Sequence, residues 1–296
     1  MIDRRGAPHP GNWVWGAPDF YTEIIVNKTL KRALICGLVL VCLGMTSIAR
    51  AQILIEEGKI KKIVEPGQTM VGTLLVHNTS SEPFRIRAYW QDFKYTEPFD
   101  GKKDFIAPGT VTLGMSEWIN FSPPEFSLPA YGKQKITYTI KVPSSTRGGH
   151  YGVLFFEKGA LDKKNQSGVR VVTRVGCLFF MEAKSRSKAG KVEDLSLNNK
   201  SLKGFFHNTG DVIELPQGIY YIMDKEGMVV DRGELNRFYL PPGARTDFAI
   251  KFPDNLGSGK YTIVLTFDLE EGDTLVKEAD LDKDDQGAVH LLQERD

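Results

Sequence analysis

The sequence predicts an all-β protein, two immunoglobulin-like β-sandwich domains in tandem after a signal peptide. Three observations carry this. Apolar and polar residues alternate at period 2 in many short segments, and clusters of Gly, Pro, Asn, Asp and Ser separate those segments at sandwich-like spacing. Beyond residue 51, no window of about 11 residues or longer keeps the 3.6-residue period of an amphipathic helix.

The N-terminal segment comes first. Lys28, Lys31 and Arg32 form a basic region, Ala33 to Met45 is an apolar run, and Ala49-Arg50-Ala51 is a small-x-small site. That order is the signature of an exported chain cleaved after Ala51. The run of about 13 residues is too short to cross a ~30 Å hydrocarbon core as a helix. Cys42 follows Val41 and Cys36 follows Ile35, neither of which suits a lipid-modified cysteine. A Pro/Gly/Trp-rich stretch, Gly6 to Phe20, precedes the basic region. Either translation starts at Val26, read from a GTG codon, so that residues 1–25 are never made, or the leader is long.

The first expected domain spans residues 52–184, with strands at Lys59–Val64, Thr69–His77, Phe84–Phe93, Lys133–Val142, His150–Glu157 and Gly168–Glu182. Lys135-Ile136-Thr137-Tyr138-Thr139-Ile140 shows the alternation most clearly, in β-branched and aromatic residues that suit a pleated surface. Pro66-Gly67, Asn78-Thr79-Ser80-Ser81, Pro123-Pro124 and Arg147-Gly148-Gly149 mark the turns. Residues 185–191 lie in a polar, basic stretch and read as a linker. In the second domain, residues 192–296, strands are expected at Val192–Leu197, Leu202–His207, Gly218–Met223, Met228–Gly233, Thr246–Phe252 and Tyr261–Leu269. The acidic tail from Glu278 is expected to fray. The two halves echo each other in Glu65-Pro66-Gly67 and Pro241-Pro242-Gly243, in Asn78-Thr79 and Asn208-Thr209, and in Gly149-His150-Tyr151 and Gly259-Lys260-Tyr261. Shared ancestry or common turn chemistry would each produce this.

Composition narrows the function. Lys and Arg (38) nearly balance Asp and Glu (37), and removal of residues 1–51 leaves 32 against 34. Nothing draws such a chain to nucleic acid, and after cleavage nothing spans a membrane. Only Cys177 outlives cleavage, so neither an internal disulfide nor a thiolate-rich metal site can form. His77, His150, His207 and His290 are dispersed, with no His-x-x-x-His or Gly-x-Ser-x-Gly spacing. Asp280-Leu281-Asp282-Lys283-Asp284 starts like a Ca²⁺ loop, but Asp285 stands at the required glycine and Leu291 at the required glutamate. Gly257-Ser258-Gly259-Lys260 lacks the first glycine of a phosphate loop. No enzyme, cofactor or metal is expected. Trp118-Ile119-Asn120-Phe121 reads as a core plug and Trp90 as an inward strand residue, in preference to a carbohydrate platform.

Several motifs, in order, resemble one family. Glu65-Pro66-Gly67-Gln68, Leu75-Val76-His77-Asn78, and Phe126-Ser127-Leu128-Pro129-Ala130-Tyr131-Gly132 leading to Lys141-Val142-Pro143 look like the first domain of PapD-like periplasmic assembly chaperones, of the pilus and fimbrial type. Pro143 followed by Gly149-His150-Tyr151-Gly152-Val153-Leu154-Phe155-Phe156 is also similar to WxL-interacting cell-surface proteins. The resemblance covers roughly residues 59–182 and implies an exported protein, periplasmic or cell-surface, that binds a secreted or cell-envelope protein client by β-strand augmentation. A structural or adhesive envelope protein that binds a surface protein or glycan is the alternative. In the chaperones a lysine before a Leu-Phe-Tyr segment anchors a client carboxylate. Here Cys177 occupies that position before Leu178-Phe179-Phe180.

Gly168–Glu182 is the expected partner strand. Val169, Val171, Thr173, Val175, Cys177, Phe179 and Met181 form one apolar face. The other face starts mixed, with Arg170, Val172 and Arg174, and turns apolar at Leu178 and Phe180. A strand apolar on both faces is buried on both or offers surface to something else. The candidate partner-binding residues are therefore Arg170, Val172, Arg174, Leu178 and Phe180, with packing of Leu178 and Phe180 against the second domain as the competing reading. The preceding loop, Lys158–Ser167, is long for a hairpin.

Overall fold

The computed structural model describes residues 52–159, 172–198, 200–270 and 274–296. The expected signal peptide, its cleavage site and the Val26 start lie outside them, as does Arg170. No helix occurs among the described residues, and none is long and apolar enough to cross a membrane.

The first immunoglobulin-like sandwich holds β1 (Ile53–Ile55), β2 (Lys59–Val64), β3 (Thr69–Asn78), β4 (Phe84–Tyr95), β5 (Lys103–Ile106), β6 (Ile119–Ser122), β7 (Glu125–Leu128), β8 (Lys133–Lys141), β9 (Gly149–Lys158) and β10 (Arg174–Ala183). One sheet runs β1-β3-β8-β6. The other runs β2-β10-β9-β4-β5, with β7 on β4. The second sandwich holds β11 (Gly190–Asn198), β12 (Ser201–Asn208), β13 (Gln217–Asp224), β14 (Val229–Glu234), β15 (Arg245–Lys251), β16 (Gly259–Asp268), β17 (Thr274–Lys283) and β18 (Val289–Arg295). Its sheets run β11-β12-β15 and β14-β13-β16-β17-β18.

Alternation builds the first core. Trp90, Leu154, Phe156, Cys177, Phe179 and Met181 meet Leu74, Val76, Ile136 and Ile140 of the facing sheet, and each large side chain buried is worth about 1.5–3 kcal/mol. Trp118 and Ile119 close the same core, as the sequence reading expects. Gly152 is required here, because a Cβ at that position would overlap the Trp90 indole. Cys177 is free and buried, and burial pushes its thiol up to about 12. A thiol kept protonated is a poor nucleophile. The folded protein should therefore react with a thiol reagent only as fast as it unfolds, and labelling within seconds under native conditions would contradict this burial.

The second core does not stop at its own sandwich. Phe206, Phe238, Phe248 and Phe267 continue into Phe93, Tyr95, Tyr151, Val153, Phe155 and Phe180 on the outer face of the six-stranded sheet. That sheet is therefore covered on both faces where the sandwiches meet. Hydrogen bonds tie the junction: the Ile213 amide donates to the Tyr151 hydroxyl at 2.7 Å, the Tyr239 amide to the Phe99 carbonyl at 2.8 Å, and the Gly149 amide to the Asp211 carbonyl at 3.0 Å.

The internal echo acquires a structural meaning in part. Buried Asn78 donates to the Glu82 and Pro129 carbonyls and accepts from the Ser80 amide. Buried Asn208 does the same with the Val212 and Leu240 carbonyls and the Gly210 amide. Each asparagine clasps the loop after its own strand to the turn that enters the pairing strand. By this measure Pro241-Pro242-Gly243, before β15, corresponds to Pro129-Ala130-Tyr131-Gly132, before β8, and not to Pro66-Gly67.

The acidic tail is a correction. The chain from Glu278 does not fray but forms most of β17 and all of β18, joined through a turn in which Asp284 accepts from the Gln286 and Ala288 amides. Ala279, Leu281 and Val289 face the core, and Arg295 pairs with Glu278 and Asp280, so the charges lie outside.

Candidate functional site

The strand β10 is divided by its neighbours. Along its whole length it pairs antiparallel with β9, from Arg174 opposite Glu157 to Glu182 opposite Gly149. On the other side β2 joins it in parallel, but only from Leu178 opposite Lys59 to Ala183 opposite Val64. The chain explains the difference. Residues Ile53–Ile55 pair with β3 in the opposite sheet, and the backbone crosses over before Gly58, whose carbonyl accepts the Leu178 amide at 3.0 Å. Residues 174–177 are thus left without a hydrogen-bonded strand on that side among the described residues.

The exposed main-chain groups can be identified. The Leu178 amide points toward β2, whereas the Thr173 carbonyl accepts the Lys158 amide on the β9 side. Successive residues of a strand aim their groups in opposite directions, so the amides and carbonyls of Arg174 and Gly176 face the open edge. An edge of this kind is a template for an incoming strand.

The expected partner residues fall in different surroundings. Val172 is exposed just before β10, and Arg174 is exposed at its first position. The Arg174 guanidinium lies 4.3 Å from the Phe155 ring centre and donates to the Tyr89 hydroxyl and the Gln91 amide oxygen, both at 3.3 Å. Leu178 is half-buried. Phe180 is 3% exposed, with its ring centre 5.1 Å from Tyr151 and 5.9 Å from Phe93, inside the core shared with the second sandwich. That side chain does not face solvent.

Two basic residues join the site that sequence reasoning passed over. The Lys59 ammonium sits 4.5 Å from the Phe180 ring centre. The Lys103 ammonium lies 4.5 Å from Tyr95 and 5.6 Å from Tyr239, which are themselves stacked at 5.0 Å. Burial first, and then the charge of Lys59, holds Lys103 below the usual lysine range. Neither residue forms an ion pair with a carboxylate among the described residues. Lys59 reaches this position through its parallel pairing with Leu178, a long-range register that no local motif announces.

No family model and no curated protein sequence matches the chain. Solved structures similar to it include chains described as fimbrial chaperones and a PapD-like domain of human CEP192. They include a chain from the chaperone–tip adhesin complex of CFA/I fimbriae, 14% identical over 76% of this chain and 97% of that one, with a TM-score of 0.48. The class 5 fimbriae chaperone CfaA is 15% identical over 76% and 97%, with a TM-score of 0.47. The E. coli chaperone DraB is 15% identical over 75% and 92%, with a TM-score of 0.40.

Proposed function

We propose that this chain is an exported assembly chaperone, or a chaperone-like accessory factor, that binds a secreted or cell-envelope protein client by adding the client's strand to the open edge of β10. The observation that carries this reading is the one-sided pairing of residues 174–177, with the main-chain groups of Arg174 and Gly176 unpaired among the described residues. In strand addition, main-chain hydrogen bonds supply affinity and alternate side chains supply selection. Val172, Arg174 and half-buried Leu178 flank the edge, and Arg170 belongs to the same proposed surface. Phe180 supports it from within. Lys59 and Lys103 supply positive charge on the outer face of the sheet, whereas Cys177, at the position where the resemblance would place a lysine, points into the first core. The export signal puts the encounter outside the cytoplasm, in a periplasm or at a cell surface.

Arg174→Pro tests the edge. Proline there removes an amide that β9 does not use, and edge strands tolerate it. The variant should melt like the parent but retain about tenfold less of any envelope protein that the mature wild-type chain captures, given the lost hydrogen bond and the blocked neighbouring register. In the captured complex, amide exchange at Arg174 and Gly176 should slow. Equal capture by the variant, with the Arg174 and Gly176 amides of the wild-type complex still exchanging freely, would defeat the proposal.

A further inference from the structure

A second charged site lies in the other sandwich. Where β12 starts and β15 ends, a cleft of about 850 Å³ is lined by Lys200, Lys203, Lys251 and Lys283, with Asp254 the only acidic residue on its wall among the described residues. A few lysines elsewhere have carboxylate partners, as in Lys184 with Glu65 and Lys277 with Glu294 and Asp296. Among the described residues Lys200, Lys203 and Lys251 have no carboxylate within 4 Å. Their crowding is built into the sheet: Ser201 stands opposite Lys251 and Lys203 opposite Ala249, which makes the two lysines diagonal neighbours on one face. Like charges so placed repel each other and cost stability unless something of opposite sign lies between them.

The remaining wall adds donors. The Asn198 side-chain oxygen already accepts from the Lys200 amide, the Ser201 amide and the Ser201 hydroxyl, at 2.9, 2.8 and 3.2 Å. Its amide nitrogen is the part left for a ligand, and that nitrogen only donates. The Lys283 ammonium is fixed at the cleft by the Leu256 carbonyl at 2.6 Å, and Phe252 contributes an apolar side.

We infer that this cleft binds a phosphoryl anion, with Lys200, Lys203 and Lys251 as its charge partners and the Asn198 amide as an orienting donor. Several ammonium groups around one pocket fit a multiply charged group with three oxygens better than a single carboxylate. The whole chain is close to neutral, so the attraction is local to this cleft. The same chemistry is offered by a soluble phosphate ester and by a phosphorylated lipid headgroup.

Titration calorimetry with glycerol 3-phosphate, and flotation with phosphatidylcholine vesicles containing phosphatidic acid, distinguish the two sources. The mature protein should show saturable binding in at least one arm. Lys203→Ala/Lys251→Ala should weaken it by about tenfold or more. Lys184→Ala/Lys191→Ala, with the same change in net charge on a distant surface, should bind as the parent does. Neither variant should melt below the parent, since the substituted side chains are exposed. No saturable binding in either arm, or equal loss in the distant pair, would overturn the assignment.

Discussion

Phe180→Ala is expected to lower the unfolding free energy of the mature chain by about 3–5 kcal/mol, the usual cost of emptying a well-packed aromatic site. The ring is almost wholly buried, packs on Phe93 and Tyr151, carries the Lys59 ammonium on its face, and belongs to a core that runs into the second sandwich. Its loss opens a cavity where β4, β9 and β10 meet the second sandwich, so neither fold can collapse to fill it alone. Leu178→Ala, at a half-buried position beside the proposed edge, should cost less than half as much. Tyr151→Phe keeps the ring but leaves the Ile213 amide without its acceptor, a loss of about 1–3 kcal/mol. Urea unfolding of the three variants gives the ranking directly. If Phe180→Ala melts like the parent while client capture falls, the ring belongs to the partner surface after all and the junction is held by other residues.

How far the residues alone reveal this arrangement depends on the range of the interaction involved. Period-2 alternation is written locally, so β4, β8 and most strands of both sandwiches are readable from it. The short strands β1, β5, β6 and β7 offer too few alternations to register. In β17 the inward residues are Ala279 and Leu281, spaced by Asp280 and flanked by Glu278 and Asp282, so charge hides the pattern. The acidic residues are tolerated because they point outward, where Thr262 and Arg295 hold Asp280. Apolar character on both faces of Leu178-Phe179-Phe180 is likewise a local signal that the segment is covered twice. What covers the second face is not local, because Phe93, Tyr151 and Phe238 come from distant parts of the chain. The open edge is the least legible feature of all. It exists because β2 pairs with one half of β10 and stops, and that register follows from where the chain changes sheets after β1.

Glu214→Gln is expected to stabilise the protein at pH 8 and to change little at pH 5. Glu214 is 1% exposed, fixed by its backbone to Leu240, and neither carboxylate oxygen accepts a well-formed hydrogen bond. Burial dominates its surroundings and pushes the carboxyl up to about 7, with the charges of Glu182 and Glu270 adding to the effect. The Ala189 amide and the Lys188 ammonium pull the other way and do not win. Glu182 is itself engaged by Lys61 and Arg186, and Lys188 by the Leu269 and Glu270 carbonyls, so little positive charge remains for Glu214. In the unfolded chain this carboxyl titrates near 4.5. Between pH 4.5 and 7 the folded state therefore holds a proton that the unfolded state has released, and stability falls as pH rises through that window. Above pH 7 the full cost of a buried, unpaired charge applies, on the order of 3 kcal/mol. Glutamine keeps the shape and cannot ionise, so the stability difference between variant and parent should grow from less than about 1 kcal/mol at pH 5 to that size at pH 8. Lys188→Met in the parent should move the midpoint of the change upward, because it removes the one cation that favours the ionised form. A difference that stays constant across the range would mean that Glu214 is charged throughout, and that water or a cation reaches it from a side these contacts leave closed.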